Sequence, residues 1–196
     1  MKYLKITMER IGVLIGHNGE TKKDLEDKSG IKINIDSNNG EVTFNENSST
    51  DPLMSLKVEN IVNAISRGFS PEKAFLLFSD NADFFVFDLR EYAGKKDTHI
   101  RRLKSRVIGR EGKTKRVLEQ LTNSKVSVHG HTVSIISDII RMNILKKSID
   151  MLLTGSKHAT VYHFVEAQMK ELYKHNGDQH CYRDHKSGNE GRTPAF

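Results

Sequence analysis

Apolar and polar positions alternate along the chain with the periods of short strands and amphipathic helices, and the same order of elements occurs twice. In the first half the pattern predicts strands at 3–7, 31–36 and 41–45, and helices at 8–15, 20–28 and 52–66. In the second half it predicts strands at 84–89, 125–128 and 132–137, and helices at 98–108, 113–122 and 138–154. The sequence therefore predicts two modules with the order strand, helix, helix, strand, strand, helix.

A Gly-x-x-Gly sequence separates the first two helices of each module. The first glycine loop spans residues 16–19 and the second spans residues 109–112, an offset of 93 residues. The flanking residues match at the same offset: Leu14, Ile15, Thr21, Lys22, Leu25, Ile33 and Ile35 correspond to Val107, Ile108, Thr114, Lys115, Leu118, Val126 and Val128. The offset falls to 90 at the hairpin turn, where loops tolerate changes in length. These matches indicate a duplicated module.

The order of elements, with isoleucine before the glycines and a hairpin after the second helix, resembles the type I KH domain, an RNA-binding module of the α+β class. The resemblance covers both modules and implies two tandem KH domains. Glycine permits close approach, because a Cβ at either glycine would hold the backbone away from a sugar-phosphate strand. Backbone amides at the start of the next helix then face the phosphates.

The resemblance indicates candidate RNA ligands in both loops. In the first module they are Gly16, His17, Asn18, Gly19 and Lys22. In the second they are Arg102, Arg106, Ile108, Gly109, Arg110, Gly112, Lys113, Lys115 and Arg116. Aliphatic walls beside the loops would receive unstacked bases, with Ile15, Leu25, Ile33, Ile108, Leu118 and Val126 as candidates. We expect most of these aliphatic side chains to belong to the core and one or two edges to reach a base.

Charge distinguishes the two modules. Residues 1–67 carry nine basic and ten acidic side chains, so the net charge of +6 lies entirely downstream. Residues 95–116 carry ten Lys or Arg and only two acidic residues, a net charge of +8 around the second glycine loop. A charged run is often only a solvated surface, but a basic run centred on a phosphate-binding loop indicates a nucleic-acid contact. The principal RNA contact is therefore predicted in the second module.

The sequence argues against an enzyme. Gly112, Lys113 and Thr114 resemble the end of a nucleotide-binding Walker A loop, but that motif needs a glycine where this chain has Val107. No other catalytic constellation stands out, and no cofactor is predicted. The single Cys181 excludes an internal disulfide framework and, with no apolar run long enough for export or membrane insertion, predicts a cytoplasmic protein.

Histidines and the cysteine gather near the C-terminus, at His175, His180, Cys181 and His185. Metal ligation is conceivable for these residue types, but no second cysteine pair supports a zinc site. The segment 175–196 is polar and lacks hydrophobic periodicity, which is typical of a disordered tail. No metal site is predicted.

Gly68 and Pro71 mark the end of one helix and the start of the next, so the first domain is predicted at 1–68. The second domain is predicted at 69–174. It includes an apolar helix at 71–78 that should pack the two modules together, and a further helix at 156–174. This last helix either packs on its own domain or offers a face to a protein partner.

Four segments of the second half narrow the resemblance to one family. They are residues 70–74 (SPEKA), 88–92 (DLREY), 107–114 (VIGREGKT) and 155–162 (GSKHATVY). Together they resemble the archaeal two-KH ribosome-assembly factors of the partner-of-Nob family. The resemblance implies binding of single-stranded 16S rRNA near its 3′ end and assistance to the Nob endonuclease. It also suggests a link to the alpha subunit of translation initiation factor 2.

The predicted mechanism is a clamp in which the second glycine loop holds about four unpaired nucleotides while its cations neutralise phosphates. The first module would add a weaker grip or face a protein. Two alternatives remain open. One is another RNA-associated KH assembly such as an exosome cap, which should carry an additional β-barrel segment. The other is a protein-interaction scaffold whose KH domains bind RNA weakly or not at all.

Overall fold

The computed structural model describes residues 2–45, 51–94 and 96–176. The first module consists of β1 (Lys2–Lys5), α1 (Met8–Ile15), α2 (Glu20–Ser29), β2 (Lys32–Asp36), β3 (Glu41–Asn45) and α3 (Pro52–Ser66). A 3-10 turn at His17–Gly19 joins α1 to α2. The observed order is the predicted one, with element boundaries shifted by at most a few residues.

A short connection follows the first module. The helix predicted over 71–78 is divided into α4 (Pro71–Ala74) and a 3-10 turn at Phe75–Phe78. Pro71 occupies the first helical position, as predicted.

The second module repeats the order with one additional helix. It consists of β4 (Ala82–Asp88), α5 (Leu89–Ala93), α6 (Asp97–Ile108), α7 (Lys113–Thr122), β5 (Lys125–His129), β6 (Thr132–Asp138) and α8 (Ile139–Leu153). Sequence periodicity did not predict α5, because five residues are too few to show a helical repeat. Asp88 begins this helix, since its side chain accepts a hydrogen bond from the Arg90 backbone amide. The last helix, α9, spans His158–Asn176.

Each module contains an antiparallel three-stranded sheet with its last strand in the centre. The strand orders are β1-β3-β2 and β4-β6-β5. In the first sheet Tyr3 pairs with Thr43 and Asn34 also pairs with Thr43, so β3 hydrogen-bonds to both neighbours. Helices cover one face of each sheet, as a half-apolar strand pattern requires.

The modules pack together through the second sheet. On β6, Val133 and Ile135 belong to the core of the second module, whereas Ile136 packs into the core of the first. That first core also contains Phe69 and Leu77 of the connection, so the two cores meet across the predicted boundary at residue 68. Burial of β6 on both faces makes the tandem arrangement compact, as the apolar connection predicted.

Close backbone packing reinforces this junction. The Ser127 hydroxyl donates a hydrogen bond of 2.9 Å to the Arg67 carbonyl oxygen. Gly68 has a φ of +95°, and a Cβ there would lie 2.8 Å from Ser127 Oγ and 2.9 Å from His129 Cβ. A glycine is therefore required where α3 ends against β5.

The helix predicted at 156–174 is α9, and it packs on its own domain through Val161, Val165 and Met169. None of the helices in the described ranges is long and apolar enough to cross a membrane. The disordered tail was predicted at 175–196, but its first two residues belong to α9, and residues 177–196 lie outside the described residues.

Candidate nucleic-acid interface

The two glycine loops share one backbone conformation. Gly16 and Gly109 have φ/ψ of 77°/177° and 75°/174°. The last glycines, Gly19 and Gly112, are left-handed at 80°/11° and 75°/12°. Each loop also holds its third residue in the left-handed region, with a φ of 51° at Asn18 and 52° at Glu111. The duplication therefore extends from sequence to backbone geometry.

The two glycines of a loop have different physical roles. A Cβ on Gly109 would lie 2.2 Å from Thr114 Oγ1, and one on Gly16 would lie 2.3 Å from Thr21 Oγ1. A Cβ on Gly19 or Gly112 would meet no atom within 4 Å. The first glycine is thus required by internal packing, while the second leaves its outer side open to a ligand. Sequence reasoning had assigned both glycines to the RNA.

A helix outside the KH repeat braces the second loop. The Tyr162 hydroxyl of α9 donates a 3.0 Å hydrogen bond to Thr114 Oγ1, the atom that excludes a side chain at residue 109. The His158 ring nitrogen Nε2 lies 3.0 Å from the Arg106 carbonyl oxygen. Both residues come from the segment 155–162, for which the sequence indicates a family motif and the start of a helix but no contact with the loop. The structure gives that segment a position beside the loop.

The cations predicted around the second loop divide into two groups. Arg102, Arg110 and Lys113 are exposed, and none has a carboxylate partner among the residues described. Lys115 is half-buried on α7. Lys95, another cation of the basic run, lies outside the described residues.

Arg106 and Arg116 instead bind the protein's own backbone. Arg106 donates hydrogen bonds of 2.9 and 2.5 Å to the carbonyl oxygens of Leu152 and Ser156, which fastens α6 to the end of α8. Arg116 donates a 2.7 Å hydrogen bond to the Glu111 carbonyl oxygen and so holds the left-handed residue of the loop. Sequence reasoning could not find these contacts, and a phosphate role for either arginine stays a prediction.

The predicted aliphatic walls are mostly core, as expected. Leu25, Ile33, Leu118 and Val126 are at most 2% exposed. The isoleucines before the glycines, Ile15 and Ile108, are half-buried. Of the proposed base contacts, Ile108 and its counterpart therefore have an edge available beside the loop.

A glutamate on the second helix of each module holds the neighbouring edge strand. Glu26 Oε1 accepts a 2.7 Å hydrogen bond from the Ile33 backbone amide, and Glu119 Oε1 accepts a 2.8 Å bond from the Val126 amide. The two glutamates are 93 residues apart, so the sequence repeat already indicates that they occupy equivalent positions. Because α2 and α7 are thereby tied to β2 and β5, each groove wall is fixed relative to its loop.

The first loop has the geometry of the second but weaker charge. His17 and Asn18 are exposed, and Lys22 is half-buried. At the position of Lys113 the first module has Glu20, whose carboxylate carries the wrong sign for a phosphate. The predicted ligands Gly16, His17, Asn18, Gly19 and Lys22 are thus brought together, but on a surface without a cationic run.

In the described ranges no three His, Cys, Asp or Glu side chains gather as a metal site. Of the four conceivable ligands near the C-terminus, His175 belongs to α9, whereas His180, Cys181 and His185 lie outside those ranges. Thr114, the last residue of the incomplete Walker motif, is buried and bonded to Tyr162.

Comparisons with known proteins agree with this geometry. A KH-domain model matches residues 2–53, and a model for the second KH domain of PNO1, described as a eukaryotic type KH domain of type I, matches residues 83–170. A KH domain-containing protein of Methanocaldococcus jannaschii is 42% identical over 172 residues, which is 88% of this chain and 75% of that protein. The chain belongs to the PNO1/Dim2 family of ribosome-assembly factors. The predicted resemblance and the tandem type I KH fold are confirmed.

More distant members of the PNO1/Dim2 family are longer. The pre-rRNA-processing protein PNO1 of Saccharomyces cerevisiae is 24% identical over 150 residues, which cover 74% of this chain but 55% of the yeast protein. A chain of the complex of a/eIF2alpha, aDim2p and rRNA from Pyrococcus horikoshii superimposes with a TM-score of 0.81 at 41% identity. The match covers 87% of this chain and 94% of that one.

Proposed function

We propose that this chain is a non-catalytic ribosome-assembly factor that binds single-stranded 16S rRNA near its 3′ end through the second glycine loop. One observation carries the proposal. Gly112 presents an open backbone beside Arg110 and Lys113, two exposed cations without carboxylate partners in the described structure. Open backbone and unpaired cations together fit a sugar-phosphate strand.

The clamp works through charge and preformed geometry. Arg116 holds the loop at Glu111 and Tyr162 holds Thr114 at the start of α7, so little conformational entropy is lost when a strand binds. The half-buried Ile108 offers an apolar edge to an unstacked base. The family relationship and the rRNA in the Pyrococcus complex support rRNA as the ligand.

Assistance to the Nob endonuclease is the further part of this proposal. The bound strand would be oriented for cleavage by the nuclease, and this protein would raise the local concentration of RNA without cutting it. Reconstitution tests this step: the chain should increase the rate at which Nob trims a precursor RNA, and the Gly112→Asp variant should not. An unchanged rate with the unaltered chain would contradict it.

A second candidate is a protein-interaction scaffold that engages the alpha subunit of initiation factor 2. It is favoured by the a/eIF2alpha present in the Pyrococcus complex and by the acidic balance of residues 1–67. Pull-down of that subunit in the absence of RNA tests the scaffold. Binding of the subunit by a chain that binds no RNA would favour it over the clamp.

A further inference from the structure

We propose that a cationic pocket beside the second glycine loop, lined by Gly109 but not by Gly112, binds the phosphate that flanks the clamped nucleotides. The inference rests on the proposed function, because the phosphate belongs to the same RNA strand. It extends the contact from the loop to the start of α9, a helix outside the KH repeat.

The pocket has a volume of about 420 Å³ and lies between α6, the second loop and the first turns of α7 and α9. Its lining includes Arg102, Ser105, Arg110, Lys113, His158 and Tyr162. A water molecule in liquid occupies about 30 Å³, so the space accepts a phosphate group together with several waters.

The charge of the pocket is of one sign. Arg102, Arg110 and Lys113 line it, and no acidic residue does among those described. Arg106 also lines the pocket, but the Arg106 guanidinium donates hydrogen bonds to the carbonyl oxygens of Leu152 and Ser156. Three cations without carboxylate partners repel one another, and an anion between them relieves that repulsion.

Two helix N-termini point to the same class of ligand. Lys113 begins the ten-residue α7 and His158 begins the nineteen-residue α9, and both line the pocket. Amide groups at such termini carry partial positive charge. The rings of His158 and Tyr162, with centroids 6.4 Å apart, form the remaining wall. Phosphate is the anion that an adjoining RNA strand supplies.

The first module shows that the KH repeat alone does not require these charges. At the offset of 93 residues, Arg102, Arg110 and Lys113 correspond to Glu9, His17 and Glu20. Two of the three cations are thus carboxylates in the first module. The pocket chemistry is specific to the module predicted to hold RNA.

Single-stranded tetranucleotides test the pocket. Three strands of one sequence carry hydroxyl ends, a 5′-phosphate or a 3′-phosphate, and their Kd values are measured with the full chain. One of the two terminal phosphates should tighten binding by about tenfold, as expected for charge-assisted hydrogen bonds. The phosphate ratio is the Kd of the hydroxyl strand divided by the Kd of a phosphorylated strand. Phosphate ratios near one for both ends would overturn the proposal.

A charge reversal then locates the effect. Ser105 is exposed on α6 and lines the pocket, so Ser105→Glu adds a carboxylate there without burying it. The phosphate ratio should fall to about one, because the carboxylate competes for the cations. The matched control Asn143→Glu adds the same charge at an exposed position on α8. It lies about 13 Å along that helix from Leu152, whose carbonyl oxygen accepts a hydrogen bond from Arg106 at the pocket, so the phosphate ratio should be kept. An unchanged ratio in Ser105→Glu would contradict the location.

Titration with inorganic phosphate separates the pocket from the proposed function. When phosphate is added to the full chain, the backbone amide signals of Lys113 and His158 should shift in NMR spectra of the unaltered protein. The same two signals should not shift in Ser105→Glu. If no tetranucleotide binds, the proposed RNA function fails, and these shifts decide the pocket. Absence of shifts in that case would overturn the pocket as well.

Discussion

Replacing Gly112 by aspartate should weaken RNA binding at least tenfold while the chain stays folded. A Cβ at residue 112 meets no atom within 4 Å, so the side chain finds room. The left-handed φ of +75° costs a non-glycine residue about 1 kcal/mol, and aspartate tolerates this region better than most. The free energy of unfolding should therefore fall only slightly in urea titrations.

The loss of affinity follows from the new charge. At about 6 Å from a phosphate and an effective dielectric constant of about 20, the repulsion is about 3 kcal/mol, or roughly 100-fold in Kd. Salt screening over a Debye length of about 8 Å reduces this value, so at least a tenfold loss is expected at physiological ionic strength. Fluorescence anisotropy with a labelled single-stranded RNA measures it directly.

Gly19→Asp is the matched control, because Gly19 has the same conformation and the same open surroundings. It should cost similar stability but much less affinity, since the first loop lacks the cationic run. Equal losses of affinity in the two variants would refute the assignment of the principal contact to the second module. Unchanged affinity in Gly112→Asp would refute the clamp itself.

Three further predictions concern interactions that stabilise the second module. Gly109→Ala should lower the free energy of unfolding by about 3 kcal/mol in urea, because its Cβ would lie 2.2 Å from Thr114 Oγ1 at a left-handed φ. Glu119→Ala should cost about 1 to 3 kcal/mol and expose an edge-strand amide to hydrogen exchange. Hydrogen bonds from Arg90 lower the pKa of Asp88 to about 2, so the unaltered chain should lose stability as pH falls from about 4 to 2, and Arg90→Ala should lose less.

Each of these variants has a control. Gly112→Ala should cost about 1 kcal/mol, and a loss as large as that of Gly109→Ala would contradict the internal role of the first glycine. Glu119→Gln keeps an acceptor oxygen and should retain most of the stability. Arg90→Lys should restore part of the acid dependence. An acid unfolding curve unchanged by Arg90→Ala would contradict the role of that side chain.

The order of elements could be predicted because it depends on local information. Strand and helix periods and the repeat at 93 residues are both visible in the sequence. The helix α5 could not be predicted, since it is five residues long and follows β4 without a break. The division at Phe75 was missed because propensity does not distinguish an α-helix from a 3-10 turn in an apolar run.

The residues of the candidate site could be proposed from the sequence, but their contacts with one another could not. The sequence predicts that Gly109 contacts the ligand. The structure shows a second reason for glycine at this position, because a side chain would clash with Thr114 at the start of α7. Arg106 contacts Leu152 and Ser156, 46 and 50 residues away, and charge counting treats it like any other cation. The sequence places Tyr162 in a family segment and in the last helix, but it does not show that Tyr162 contacts Thr114. Long-range partners of this kind require the fold.

Specific RNA binding is tested by titrating the chain with a single-stranded RNA copied from the 3′ end of 16S rRNA, and with a scrambled strand, at several salt concentrations. The chain should prefer the authentic strand, with a slope of log affinity against log salt near −3, about −0.7 for each of roughly four phosphates. Equal and steeper binding of both strands would show generic electrostatic attraction, and no binding would contradict the RNA clamp.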